Sequence, residues 1–229
     1  RELRYLWMEM PKQYRLGVMR FASEHGMAGL SFRVAEIIRK DTGVSWYGAL
    51  YPHPQFKADY DIDEALVWAI ARQESGFNPR AKSSAKAAGL MQLMPATASF
   101  IARDRGYRGR KRHQLFEPEL NLRLGQNYIQ HLLDEPLVES SLIRLLAAYN
   151  GGPGNLRKWL GKVDHQDDPF LLVESMPARE TRYYVKNVIS NLGIYRQRFG
   201  ETTPALSGLA AGNGGKFVPS EAIDKGLAN

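Results

Sequence analysis

"AIARQESGFNP", residues 69–79, closes the most apolar stretch of the chain and decides how the rest is read. The segment leading into it, "YDIDEALVWAIARQES" (residues 60–75), opens with acids, which suit the positive end of a helix. The unbroken apolar run Ala65 to Ala71 then predicts a buried helix, and Gly76 is a good C-terminal cap. That assignment puts Glu74 at the helix's negative end, where an ionised carboxylate is disfavoured. Trp68, Ile70 and Phe77 could desolvate it further if the fold closes over it. Both effects raise a carboxyl pKa. A carboxyl still protonated near neutral pH is what a general acid needs. From these residues alone, a solvated Glu with no duty stays open as well.

Outward from this helix the pattern remains helical. Residues 1–50 read as helix. "LSFRVAEIIRK" places Leu30, Val34, Ile37 and Ile38 on one face, and Gly43 supplies a stop. The opening "RELRYLWMEM" reads as the middle of something helical, so a fragment or processed chain is expected. "YPHPQF" (residues 51–56) is an extended connector. "GLMQLMP" (residues 89–95) is a strand-like or loop segment, and Pro95 suits the first position of a following helix. Leu120, Leu124, Tyr128 and Leu132 form one amphipathic stripe, "LVESSLIRLLAAYN" is a further apolar helix broken by "GGPG", and Pro177 precedes the last long helix. Strand signals are few. The fold class is therefore mostly α, with a helical domain at about 55–200. After residue 200, "GETTPALSGLAAGNGG" reads as a Gly/Ala/Ser-rich linker or tail to residue 229.

Composition removes several function classes. The 229 residues include no cysteine, so disulfides, thiolate metal sites and a cysteine nucleophile are out, though no compartment follows. His25, His53, His113, His131 and His165 are scattered without ligand spacing, so no metal and no cofactor is expected. No apolar run is long enough to span a bilayer. The net charge of +7 favours a polyanionic partner. The densest basic run, "RDRGYRGRKR" (residues 103–112), reads as a solvated loop without a nucleic-acid motif, so no nucleic-acid partner is expected.

Two further stretches bear on Glu74. "GLMQLMP" sets Met91 and Met94 around Gln92, a combination that could line a groove for an amphipathic ligand, although at least one methionine is expected to fill the core. "AYNGGPGN" places Tyr149 and Asn150 at a helix end beside a tight turn.

Taken together and in order, "ARQESGFNP", "GLMQLMPATA", "PELNLRLGQNYI", "AYNGGPG" and "ETRYYVKNV" resemble the catalytic domain of the soluble lytic transglycosylases, lysozyme-like enzymes of bacterial peptidoglycan. The resemblance covers about residues 55–200. It implies a lysozyme-like catalytic domain, and residues 1–54 are similar to the helices of the α-superhelical linker preceding it in larger members. By this resemblance Glu74 matches the family's single catalytic acid and Tyr149 the tyrosine facing the catalytic centre. Ser83 matches a serine supporting that glutamate or the substrate. Gln92, Met94 and Asn150 fall among the sugar-subsite motifs, and Glu180 matches a groove acid, with Arg182 and Lys186 nearby.

One departure stands out. The family usually has glycine where this chain has Lys86, which could alter a turn or add a cation beside the groove. The resemblance also implies the chemistry: cleavage between N-acetylmuramic acid and N-acetylglucosamine to a 1,6-anhydromuramyl product, with one glutamate as acid and then base. Asp63 and Glu64 lie about 15 Å from Glu74 along the helix, too far to cooperate with it, and Glu180 is the remaining candidate for a second carboxylate. Peptidoglycan strands are the implied partner, the resemblance names no particular cell-wall assembly or secretion partner, and the substrate implies the periplasm. A goose-type muramidase and an inactive peptidoglycan-binding module are the alternatives.

Overall fold

The computed structural model describes residues 11–56, 58–162, 165, 168–212 and 215–217. The readings of residues 1–10 as helix and of 218–229 as tail lie outside them. The described residues carry helices α1 (Lys12–Glu24), α2 (Ala28–Thr42), α3 (Tyr47–Leu50), α4 (Glu64–Ser75), α5 (Pro95–Ile101), α6 (Pro118–Leu133), α7 (Leu142–Gly151), α8 (Pro153–Lys162), α9 (Pro169–Ser175), α10 (Arg179–Phe199) and α11 (Pro204–Ala210). Among the described residues no segment forms a strand; the "GLMQLMP" region is a loop held by isolated bridges between Lys82 and Ala88 and between Ala88 and Leu93. Among them, too, no helix is long and apolar enough to cross a membrane.

Helix α4 is the axis of the core. Ala65 through Ala71 are all fully enclosed, as the uninterrupted apolar run requires. The long helix α10 packs along it, contributing Val185, Val188, Leu192 and Tyr195. Each such side chain taken out of water contributes about 1.5–3 kcal/mol. At its start α4 is capped by Asp63, whose side chain accepts from the Leu66 N–H at 2.9 Å. The same carboxylate pairs with Arg196 of α10, and both partners are buried. At its end, Gly76 takes a left-handed φ of 56°.

The N-terminal helices belong to this core as well. Arg72 of α4 donates to the Leu50 carbonyl (2.9 Å) and to Asn191 of α10 (3.0 Å), and it reaches Glu36 of α2 at 3.6 Å. Its guanidinium lies between the rings of Phe32 and Tyr51, 4.8 and 4.2 Å from their centroids. Helix α2 also sits directly on the end of α4: a Cβ at Gly76 would meet the Phe32 ring at 2.8 Å, and one at Gly29 would lie 3.0 Å from the Phe77 carbonyl oxygen.

The composition after residue 200 is misleading. The described part of that segment is folded onto the core and does not behave as a linker. Helix α11 starts at Pro204, and Ala205, Leu209 and Phe217 are buried. The Phe217 N–H donates to the Ser140 carbonyl at 2.8 Å, and Gly193 on α10 leaves room for Leu206, which a Cβ there would meet at 2.6 Å. A few apolar anchors at fitting positions suffice to dock a helix, and a count of small residues does not see them.

Candidate active site

Glu74 ends helix α4 at a groove of about 810 Å³. The walls bring together Glu74, Ser83, Gln92, Met94, Tyr149, Asn150 and Glu180, residues from α4, the 81–94 loop, α7 and α10. Glu74 is partly buried, and its pKa is pushed from 4.5 up to about 7. Burial is the main cause, the Tyr184 hydroxyl opposes it, and the Glu180 carboxylate adds a smaller upward push. The Tyr184 hydroxyl is buried and finds no partner at ordinary hydrogen-bond geometry. It lies close enough to favour the ionised Glu74 without closing a normal bond to the carboxyl. Asp63 and Glu64 are occupied elsewhere: Asp63 with Arg196, Glu64 with His53 (2.7 Å) and the Trp68 indole N–H (3.0 Å).

The tyrosines form a stack behind the glutamate. Tyr149 and Tyr184 lie with ring centroids 6.5 Å apart and planes 6° from parallel, and Tyr128 tilts against Tyr149 at 5.3 Å. Burial drives the Tyr149 and Tyr184 pKa values well above the ordinary tyrosine range, and the Glu74 charge adds to it. Neither phenol is therefore a proton source near neutral pH. The Tyr149 hydroxyl donates to the Met91 carbonyl at 2.9 Å, which leaves its lone pairs as acceptors. Tyr149 can thus hold a donor on a ligand.

The 81–94 loop is rigid for identifiable reasons. The Gln92 amide N–H groups donate to the carbonyls of Ala81 (3.1 Å) and Gly89 (2.8 Å), leaving its amide oxygen as an acceptor. Ser83 Oγ accepts from the Ala87 N–H at 2.9 Å, so its own proton remains available; no hydrogen bond from Ser83 to Glu74 is formed. Gly89 has φ 84°, and a Cβ there would lie 2.2 Å from the Leu115 carbonyl oxygen. The buried Asn121 ties this loop to α6, accepting from the Met91 N–H (2.8 Å) and donating to the carbonyls of Ala88 (3.0 Å) and Leu115 (2.9 Å). Met91 is a core residue with no exposure, whereas Met94 is 40% exposed on the groove wall. Asn150 accepts from the Thr181 hydroxyl at 2.7 Å, joining α7 to α10.

Two expected residues point elsewhere. Arg182 donates to the Met176 carbonyl, and Lys186 pairs with Glu174 at 2.5 Å. Helical geometry is the reason, since positions two and six after Glu180 lie on the opposite side of α10. The same geometry brings Tyr183 and Tyr184, three and four positions on, to the groove. That spacing could have singled them out in the sequence. Asn121, isolated among leucines on a buried face, was a second available signal.

Lys86 adopts φ 77°, the left-handed backbone that glycine takes at little cost. The turn is kept, with the Lys86 N–H donating to the Ser83 carbonyl at 3.0 Å, at a strain of about 1–2 kcal/mol. The basic run 103–112 contains one short 3-10 turn, Arg105–Arg108, in which Tyr107 is buried, and leads into a second, Arg112–Phe116. Among the described residues no cluster of three or more His, Cys, Asp or Glu forms a metal-sized group.

The model of the family described as Transglycosylase SLT domain matches residues 54–170, about half of the chain. This chain belongs to that family. Its relatives include the soluble lytic murein transglycosylase of Salmonella typhimurium, 42% identical over 150 residues, which make up 64% of this chain and 23% of that protein. The chain thus spans about a quarter of that relative's length. The crystal structure of the 70 kDa soluble lytic transglycosylase from Escherichia coli superposes with a TM-score of 0.72 at 32% identity, over 84% of this chain and 31% of that one. An inactive glutamate-to-glutamine mutant of lytic transglycosylase Slt from Pseudomonas aeruginosa superposes at 0.67 with 28% identity, over 84% and 31%. The SLT family fold, helical and lysozyme-like, is therefore the fold of this chain.

Proposed function

We propose that this chain is a peptidoglycan lytic transglycosylase that cleaves the β-1,4 bond between N-acetylmuramic acid and N-acetylglucosamine. The observation that carries the reading is Glu74, a carboxyl at the wall of a long groove whose pKa is pushed up to about 7 with no cation beside it among the groove residues. Such a group is about half protonated in neutral solution and can both give and take a proton there. Residues 55–200 form the catalytic unit in this reading, and residues 1–54 the helical segment preceding it. Glycan strands of peptidoglycan are the partner, which places the protein in the periplasm.

Glu74 protonates the glycosidic oxygen as its bond to muramyl C1 breaks. The muramyl acetamido oxygen bonds to C1 in place of an enzyme carboxylate, as in substrate-assisted glycosidases. Glu74, now ionised, removes the proton of the muramyl 6-hydroxyl; O6 attacks C1, the acetamido bond opens and the 1,6-anhydro ring closes. No water enters. The second step needs an ionised Glu74, and the Tyr184 hydroxyl is placed to accept that charge by donating to it. Tyr149 and Gln92 contribute acceptors that orient the sugar's donors, and Glu180 adds a small upward push to the effect of burial on Glu74.

The test is mass spectrometry of purified peptidoglycan digested with the wild type and with Glu74→Gln. Muropeptides one water lighter than the hydrolysis product, made by the wild type alone, are expected. Reducing-end products without that loss would make the chain a muramidase, and no product from the wild type would leave a binding module.

A further inference from the structure

A second cavity, of about 690 Å³, shares one wall residue, Gln73, with the groove that holds Glu74. Its other walls are α2 and α3 on one side and α10 on the other. Both spaces follow one face of α10. Glu180, Tyr183 and Tyr184 line the groove, while Asn187, Ser190 and Asn191 line the cavity, at the three- and four-residue spacing that keeps side chains on one side of a helix. Ser190 stands about 10 Å beyond Tyr183 along the helix. Catalysis at Glu74 uses none of the groups in this second space.

The lining has the chemistry of a site for a sugar that carries an acid. Tyr47 is 59% exposed, and its ring lies nearly parallel to that of the buried Tyr51 with centroids 6.2 Å apart, an apolar plate open to solvent. Gln73, Asn187 and Ser190 bond through their side chains to no other described residue, which leaves amide and hydroxyl groups for a ligand. Arg33, Arg39 and Arg72 line the cavity against one acid, Glu36. That acid serves two of them, Arg39 at 2.9 Å and Arg72 at 3.6 Å. Arg72 is held by Leu50, Asn191 and the rings of Phe32 and Tyr51. Arg39 is exposed and gives Glu36 one hydrogen bond, so guanidinium donors remain for a second carboxylate. A concave wall with an excess of positive charge concentrates anions.

We propose that this cavity is a second saccharide subsite, which takes an acidic sugar of the same glycan strand with its ring against Tyr47 and its carboxylate beside Arg39. The inference rests on the reading of the Glu74 groove as a glycan site. Muramic acid, through its lactyl ether, is a sugar of this class. A strand long enough to pass Gln73 is held in two places and binds more tightly than one that fills the groove alone. Tyr47 and Arg39 are thus specificity residues for strand length and touch no reacting atom.

The experiment measures binding of the full chain, carrying Glu74→Gln to prevent cleavage, to glycan strands stripped of peptide by an amidase, which frees the lactyl carboxylates. A tetrasaccharide is compared with a strand at least twice as long, and neutral chitin oligosaccharides of both lengths serve as controls. Tyr47→Ala should weaken binding of the long strand about fivefold and leave the tetrasaccharide unchanged. Arg39→Gln should weaken the long stripped strand about threefold at low salt, an effect that high salt removes and chitin does not show. Both side chains are exposed, so neither change threatens the fold. Long-strand affinity unaltered by both changes, or an equal loss on the tetrasaccharide, would overturn the proposal. An equal Arg39→Gln loss on chitin would overturn its acidic-sugar part. Absence of anhydro products from the wild type on either length overturns the lyase reading alone, because the length dependence of the Tyr47→Ala loss still decides the cavity.

Discussion

The two ends of helix α4 hold two acids in opposite conditions. Asp63, at the N-terminus, is only 3% exposed, caps the helix through Leu66 and is paired with the buried Arg196. Glu74, eleven residues on, sits at the negative end with a buried phenol that does not quite reach it and a second carboxylate for company. The first acid is satisfied and holds α4 to α10. The second is left without a cation, and in the proposed function its proton is the reagent for that reason. Enclosure alone therefore does not mark a catalytic acid; the partners supplied to it do.

The largest test of this contrast is Glu74→Gln, which should lower turnover of peptidoglycan by about 10³-fold or more in a product assay, with the fold intact by circular dichroism. Asp63→Ala should do the reverse: about 3–5 kcal/mol of stability lost in denaturant titration, because a buried arginine loses its carboxylate. Third comes the stability of Glu74→Gln itself. A carboxyl whose folded pKa of about 7 exceeds its unfolded 4.5 favours the fold only while protonated. The wild type therefore loses up to about 3 kcal/mol as pH rises through that window. The glutamine variant should be the more stable protein at pH 8 and no more stable at pH 4, as thermal melts at the two pH values will report.

Tyr184→Phe is a finer probe. The hydroxyl lowers the Glu74 pKa, so its removal should shift the alkaline limb of the pH–rate profile upward and slow the reaction about tenfold. An unshifted limb would reduce Tyr184 to packing. The smallest effect is that of Lys86→Gly, expected to raise stability by roughly 0.5–1 kcal/mol, a Tm gain of about 2 °C, by removing backbone strain.

Much of this molecule was legible in the linear chain. The run Ala65 to Ala71, the acids before it and Gly76 after it define α4 almost to the residue, because burial, dipole and capping all agree there. Five motifs in order gave the family, and with it most of the groove. Where side chains on one helix had to be sorted by direction, the sequence reading went astray: it named Arg182 and Lys186 for their nearness to Glu180 and missed Tyr183 and Tyr184, which the turn of the helix brings to the groove. The segment after residue 200 failed for another reason. Its composition is that of a linker, and only the cavity above Gly193 and the free edge at Ser140 give its few apolar groups somewhere to bind.

Local patterns in the chain were enough to establish a helical protein, a carboxyl at a helix's negative end and the order of the groove-forming motifs, since helix periodicity, caps and dipoles act over a few residues. The value of that carboxyl's pKa, the phenol held just short of it, the partner that silences Asp63 and the placing of α2 over the Gly76 turn depend on groups far apart in sequence. Desolvation and charge pairing are set by what lies within a few ångströms in space, and only the packed fold determines which residues those are.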